Sequence, residues 1–181
     1  MLTIRKILVP TDFSDVSALA IAYGLSLAKQ HDAEVGVLHV MPSKEMKQDF
    51  SPGYATEGLM EPGAVTVARR APDMDSMLEG KHRIIHDFVQ QKIGSELLHG
   101  IKTTALVRFG SPVKEIIAAA KEEQADLIVM NRESGLSFRG HFTDKVAKQA
   151  PCPVLSMQAA ATVRTEQNER VPLTLVQKWA A

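Results

Sequence analysis

Two polar stretches of this 181-residue chain hold residues with ligand-binding chemistry, and each follows an apolar run. The first is Pro10-Thr11-Asp12, directly after Ile7-Leu8-Val9. The Asp12 carboxylate can accept hydrogen bonds from a ribose or help to hold a cation. The second stretch runs from Asn131 to Thr143, after Leu127-Ile128-Val129-Met130, and carries Gly135 and Gly140. Glycines allow positive φ and bring successive backbone N–H groups close to phosphate oxygens, while a helix N-terminus adds favourable partial charge. Asn131 is the non-glycine residue best suited to a left-handed backbone. Ser137 and Thr143 offer hydroxyls, Arg132 and Arg139 offer charged forks, and His141 is a cation when protonated. Plainer roles compete at each place. Asp12 suits a turn that caps the next helix, Gly140-His141 suits a turn into the last helix, and His141 suits a solvated surface.

Other constellations carry less. His82 and His86 stand four apart on a helical stretch, a spacing that can clamp a metal, but no third ligand is evident nearby and surface histidines are the default. Cys152, between Pro151 and Pro153, suits a small buried apolar position better than a nucleophile. There is no G-x-S-x-G elbow, no Walker pattern and no cysteine cluster. No catalytic residue and no metal site are assigned.

The elements that must position these residues alternate between apolar runs and helical periods, the pattern of an α/β fold with a largely parallel sheet. Strands are expected over residues 7–9, 35–41, 102–109, 127–130 and 154–157. Their continuous apolarity suits strands covered on both faces. Between them, Ser14 is the expected N-cap of a first helix whose inward face is Ala18, Ile21, Ala22, Leu25 and Ala28, ending near His31-Asp32. A second helix is expected over 74–98, with Met74, Leu78, Ile85, Val89, Ile93 and Leu97 inward. Gly110-Ser111-Pro112 starts a third, with Ser111 as N-cap and Val113, Ile116, Ile117 and Ala120 inward. A fourth covers roughly 143–149. Right-handed crossovers then predict a doubly wound five-stranded, mainly parallel sheet of order 3-2-1-4-5. In such a sheet ligands sit beyond the strand C-termini at the switch point, here between strands one and four. Pro10 to Ser14 and Asn131 to His141 are the loops at that place, and Val40 and Met41 end the neighbouring strand two.

Two segments fall outside this rhythm. Residues 42–72 contain the turn pairs Pro52-Gly53 and Pro62-Gly63 and read as a long insertion within a domain of residues 1–157. Residues 158–181 read as a C-terminal extension: polar and weakly structured to Arg170, then apolar and holding Trp179, the chain's one tryptophan. Formal net charge is zero, which argues against a nucleic-acid footprint. A single cysteine excludes an intrachain disulfide framework, and the N-terminus lacks a signal-peptide pattern, so a cytoplasmic, non-membrane protein is expected.

Four segments, KILVPTDFS, VGVLHVMP, RFGSPVKEII and the block from DLIVMN to APCPVL, resemble the universal stress protein family in matching order across most of residues 3–157. The resemblance implies a stress-response regulatory or binding module, with an adenine nucleotide such as ATP, accompanied by Mg²⁺, at the strand one and strand four switch point. It places Asp12 beside the nucleotide, the backbone of Val40 and Met41 at the adenine edge, and the phosphates on a loop of form G-x2-G-x9-G-[ST]. That loop is degenerate here. Asn131 replaces the first glycine, the span is about two residues short, and His141 follows Gly140 where the family has Ser or Thr. The nucleotide-contacting set implied is Pro10, Thr11, Asp12, Val40, Met41, Asn131, Arg132, Gly135, Ser137, Gly140, His141 and Thr143. The family's usual dimer joins last strands, which places Val154–Met157 at a homodimer interface. Two alternatives stand beside this reading: a slow Mg²⁺-dependent ATP hydrolase with Asp12 on the metal, and a nucleotide-independent protein-interaction module using residues 42–72 or 171–181.

Overall fold

The computed structural model describes residues 3–42, 74–93, 95–131, 142–157, 162–164 and 170–172. Arg132, Gly135, Ser137, Arg139, Gly140, His141, Trp179 and all of the insertion except Pro42 lie outside the described residues.

Five strands form one sheet: β1 (Lys6–Thr11), β2 (Glu34–Met41), β3 (Thr103–Phe109), β4 (Leu127–Asn131) and β5 (Val154–Met157). Their order is β3-β2-β1-β4-β5 and every pairing is parallel, as the sequence predicts. Side chains alternate between faces along a strand, and each face has its own apolar layer. Ile7, Val9, Val35, Val37 and Val129 pack with α1 (Asp15–His31) and α2 (Met74–Ile93). Leu8, Leu38, Val40, Ile128 and Met130 pack with α4 (Pro112–Glu122) and α5 (Phe142–Gln149). A four-residue α3, Ser95–Leu98, follows α2. The helix expected over 74–98 is helical at every described residue of that range, with Gly94 outside the described residues.

Local signals explain most helix boundaries. Ser14 caps α1, its hydroxyl accepting from the Ser17 N–H, and Asp32 ends the helix in a left-handed conformation at φ 53°. Ala18, Ile21, Leu25 and Ala28 are buried as expected. Gly24 lets α1 lie against β1, because a Cβ there would stand 2.9 Å from Val9 Cγ2. Along α2, Ile85, Val89 and Ile93 are buried and Met77, rather than Leu78, completes the inward stripe. Ser111 occupies the N-cap position of α4 in extended backbone, but its hydroxyl makes no capping bond; Pro112 and the backbone bond from Glu115 N–H to the Ser111 carbonyl start the helix instead. Cys152 is half-buried against the α4 and α5 layer, where burial and the nearby Asp126 charge push its thiol pKa up.

At the N-terminal end of the sheet, side chains take up the backbone donors and pair with one another. Asp126 Oδ2 accepts from the backbone N–H of Arg5 (2.8 Å) and Lys6 (3.0 Å). Lys6 pairs with Glu123, and Lys102 reaches Glu34 at 2.6 Å. Beyond the sheet, β6 (Thr162–Arg164) and β7 (Arg170–Pro172) pair antiparallel, with Val163 opposite Val171. The stretch read as weakly structured therefore contains a strand, consistent with the β preference of its Thr-Val pair. No described helix is long and apolar enough to cross a membrane.

Candidate functional site

At the opposite end of the sheet the ladder between β1 and β4 stops short of the strand ends. Among the described residues the β1–β4 pairing covers Ile7↔Leu127 and Leu8↔Ile128. The cause lies in β1. The Lys6 carbonyl accepts from Asp126 N–H, on the β4 side, whereas the Arg5 carbonyl accepts from Glu34 N–H, on the β2 side. Backbone groups alternate sides along a strand, so even-numbered residues of β1 face β4. Pro10 is one of these, and it has no N–H to donate. The ladder loses its rung at the switch point.

The β1–α1 turn beyond Pro10 is held by a closed chain of hydrogen bonds. Asp12 Oδ1 accepts from both Ser14 N–H (3.1 Å) and Ser14 Oγ (2.6 Å). Ser14 Oγ in turn accepts from Ser17 N–H at 3.1 Å. Ser17 Oγ donates to the Ser14 carbonyl at 2.9 Å. A hydroxyl has one proton, so in the 2.9 Å contact between Thr11 Oγ1 and Ser17 Oγ the threonine is the donor. Thr11 Oγ1 also accepts from Phe13 N–H at 3.1 Å. The turn-and-cap role weighed for Asp12 is therefore present in the structure. Asp12 itself is half-buried, and Thr11 is buried.

Phe13 is the strained member. Its φ of 63° is left-handed, a conformation costing a side-chain-bearing residue roughly 1–2 kcal/mol. Its ring lies 4.3 Å from the His39 ring at 37°, and 5.4 Å from Phe88 of α2, edge to face. His39 is buried and its Nδ1 lies 3.0 Å from the Thr11 carbonyl. A carbonyl only accepts, so Nδ1 carries the proton. These three aromatic residues escape sequence reasoning: His39 reads only as an interruption in an apolar strand, and nothing in DFS marks Phe13 as left-handed.

The other expected contact residues separate. β2 runs two residues past its last pairing with β1, Thr11↔His39, to Val40 and Met41. The Met41 carbonyl accepts from Gly110 N–H at 3.0 Å on the β3 side, so alternation turns the Val40 backbone toward the β1 side. Asn131 is not left-handed. It is the last residue of β4, 2% exposed, and its Nδ2 donates to the Val16 carbonyl of α1 at 3.2 Å. The amide tethers the end of β4 to the first turn of α1, which a glycine there cannot do. Thr143 is buried in the first turn of α5.

A family model described as the universal stress protein family matches residues 3–157. The chain belongs to that family. Universal stress protein MJ0531 of Methanocaldococcus jannaschii is 32% identical over 157 residues, covering 83% of this chain and 80% of that protein. The solved structure of MJ0577 from the same archaeon superposes with a TM-score of 0.60 at 22% identity, covering 86% of this chain and 96% of the other. A universal stress protein solved in complex with cAMP gives 0.54 at 16% identity, covering 86% and 98%. Both likenesses establish the doubly wound fold of order 3-2-1-4-5.

Proposed function

We propose that this universal stress protein is a regulatory binding module that takes an adenine nucleotide in the crevice between the C-terminal ends of β1 and β4. The observation that carries this reading is the end of the β1–β4 ladder at Pro10, because it sets a missing rung beside two groups suited to a nucleoside. The half-buried Asp12 carboxylate, just past β1, would meet ribose hydroxyls, and the Val40 backbone, past the last β1 pairing on the neighbouring β2, would meet the adenine edge. Mg²⁺ would accompany a triphosphate as its counter-ion. The cAMP complex of a fold relative agrees with an adenine ligand. The polar residues Arg132, Gly135, Ser137, Gly140 and His141 complete the proposed phosphate contacts. Asn131 enters as the tether that holds the rim, and Thr143 as part of the helix behind it.

The same reading includes a homodimer through β5. Val154–Met157 is a four-residue edge strand whose Ser156 is exposed and whose Val154 and Leu155 are half-buried, and a second copy would cover this edge. Sedimentation should show a dimer, and Leu155→Lys should shift it toward monomer.

Mass spectrometry of the denatured purified protein tests the ligand. Co-purified ATP, ADP, AMP or a cyclic form is expected, together with a rise in melting temperature when ATP and Mg²⁺ are added. Asp12→Ala should abolish that rise. A ligand-free protein whose melting temperature ignores adenine nucleotides would overturn the reading.

A further inference from the structure

We propose that His39 and Phe13 are a positioning pair that holds the Asp12 carboxylate where a ligand meets it, with Phe88 of α2 as its backstop. The inference rests on the nucleotide reading for its ligand and on the observed contacts for its mechanism. Asp12 is bracketed by two anchored neighbours. On the strand side, the Thr11 carbonyl accepts from His39 Nδ1 at 3.0 Å, which fixes the last peptide of β1 from inside the sheet. On the helix side, Phe13 turns the chain by adopting φ 63°, a conformation the residue does not favour on its own. The ring contacts supply what the backbone lacks. Phe13 rests on His39 at 4.3 Å and meets Phe88 edge to face at 5.4 Å. A single imidazole thus grips both neighbours of Asp12, one through a hydrogen bond and one through its face. Thr11 Oγ1 ties the same two residues by accepting from Phe13 N–H.

The geometry separates two requirements that a turn glycine would confuse. Glycine at position 13 reaches φ 63° without strain but offers no ring to His39 or Phe88. Phe13→Gly should therefore remain folded while the turn loses its brace. Phe13→Tyr keeps the ring, and His39→Phe keeps the stack but loses the bond to Thr11.

Two measurements on the full chain decide the matter. Amide hydrogen exchange of nucleotide-free protein reports the turn through the backbone N–H groups of position 13 and Ser14, which donate to Thr11 Oγ1 and Asp12 Oδ1 in the wild type. Calorimetric titration with ATP and Mg²⁺ reports the ligand. Faster exchange at Ser14 and an affinity weakened about tenfold are expected in Phe13→Gly, with near wild-type behaviour in Phe13→Tyr and an intermediate loss in His39→Phe. Unchanged exchange at Ser14 in Phe13→Gly overturns the proposal, as does a loss in Phe13→Tyr equal to that in Phe13→Gly. Faster exchange with unchanged ATP affinity overturns it too, since the brace would then not serve binding. If wild-type protein takes no ATP, the nucleotide reading fails, and the exchange comparison still decides whether the ring pair holds Asp12.

Discussion

The two ends of β1 are finished in opposite ways. At the N-terminal end a single carboxylate, Asp126, accepts from two successive backbone N–H groups, Arg5 and Lys6, and flanking ion pairs cover the rim. At the C-terminal end Pro10 removes a rung facing β4, and the chain beyond it is held by side-chain hydroxyls, an imidazole and an amide. The first arrangement satisfies backbone donors. The second ends the β1–β4 ladder early and sets polar groups beside the place where it ends. On the proposed reading, stability and binding are divided between the ends of one strand.

Substitutions at each end should behave differently, and the largest effect belongs to the N-terminal end. Asp126→Ala leaves two backbone N–H groups without their charged acceptor and should cost about 2 kcal/mol in urea unfolding, with ATP affinity unchanged. An equal loss of affinity would show that the ends are coupled. Asn131→Gly restores the family's glycine but removes the tether to Val16, so a loss of about 1 kcal/mol is expected. Pro10→Ala returns an N–H facing β4. Its stability should stay within about 1 kcal/mol of wild type, because a gained hydrogen bond is offset by greater freedom of the unfolded chain. ATP affinity should fall, and a protected amide at position 10 would show that the rung has formed.

The smallest effect is expected at Glu34. The hydrogen bond from Lys102 holds its carboxyl below the ordinary glutamate value, against a weaker opposing effect of desolvation. A lowered folded-state pKa means that the pair adds stability above the unfolded-state value and loses it as pH falls through the folded one. Exposure and salt screening make that contribution slight. Acid titration of Glu34→Gln and wild type should give nearly superimposable unfolding midpoints above the carboxylate range, converging further in acid.

How far each feature was legible depended on whether its cause was local. Strand positions followed from continuous apolar runs, and the α1 cap followed from Ser14, because a capping hydroxyl acts within three residues. Ser111 shows the limit of that logic: the residue type and place are right, but no capping bond forms. Asn131 suggested a left-handed residue by type, whereas its amide found the Val16 carbonyl 115 positions away in sequence and the backbone stayed extended. Phe13 is the converse case. Its residue type argues against a left-handed turn, and two rings from β2 and α2 supply the compensation.

The alternation of strands and helices, the strand order and the family follow from periodicity, handedness and motif order along the chain. The sequence also placed Pro10 and Asp12 at the switch point. Only the tertiary structure decided what these residues do there. Which side of β1 Pro10 leaves open depends on the register with β2 and β4, and the Asp12 turn depends on an imidazole arriving from the next strand. Those are contacts between distant segments, and their geometry is set when the sheet assembles, since no local preference carries the direction of a partner that folding alone brings within reach.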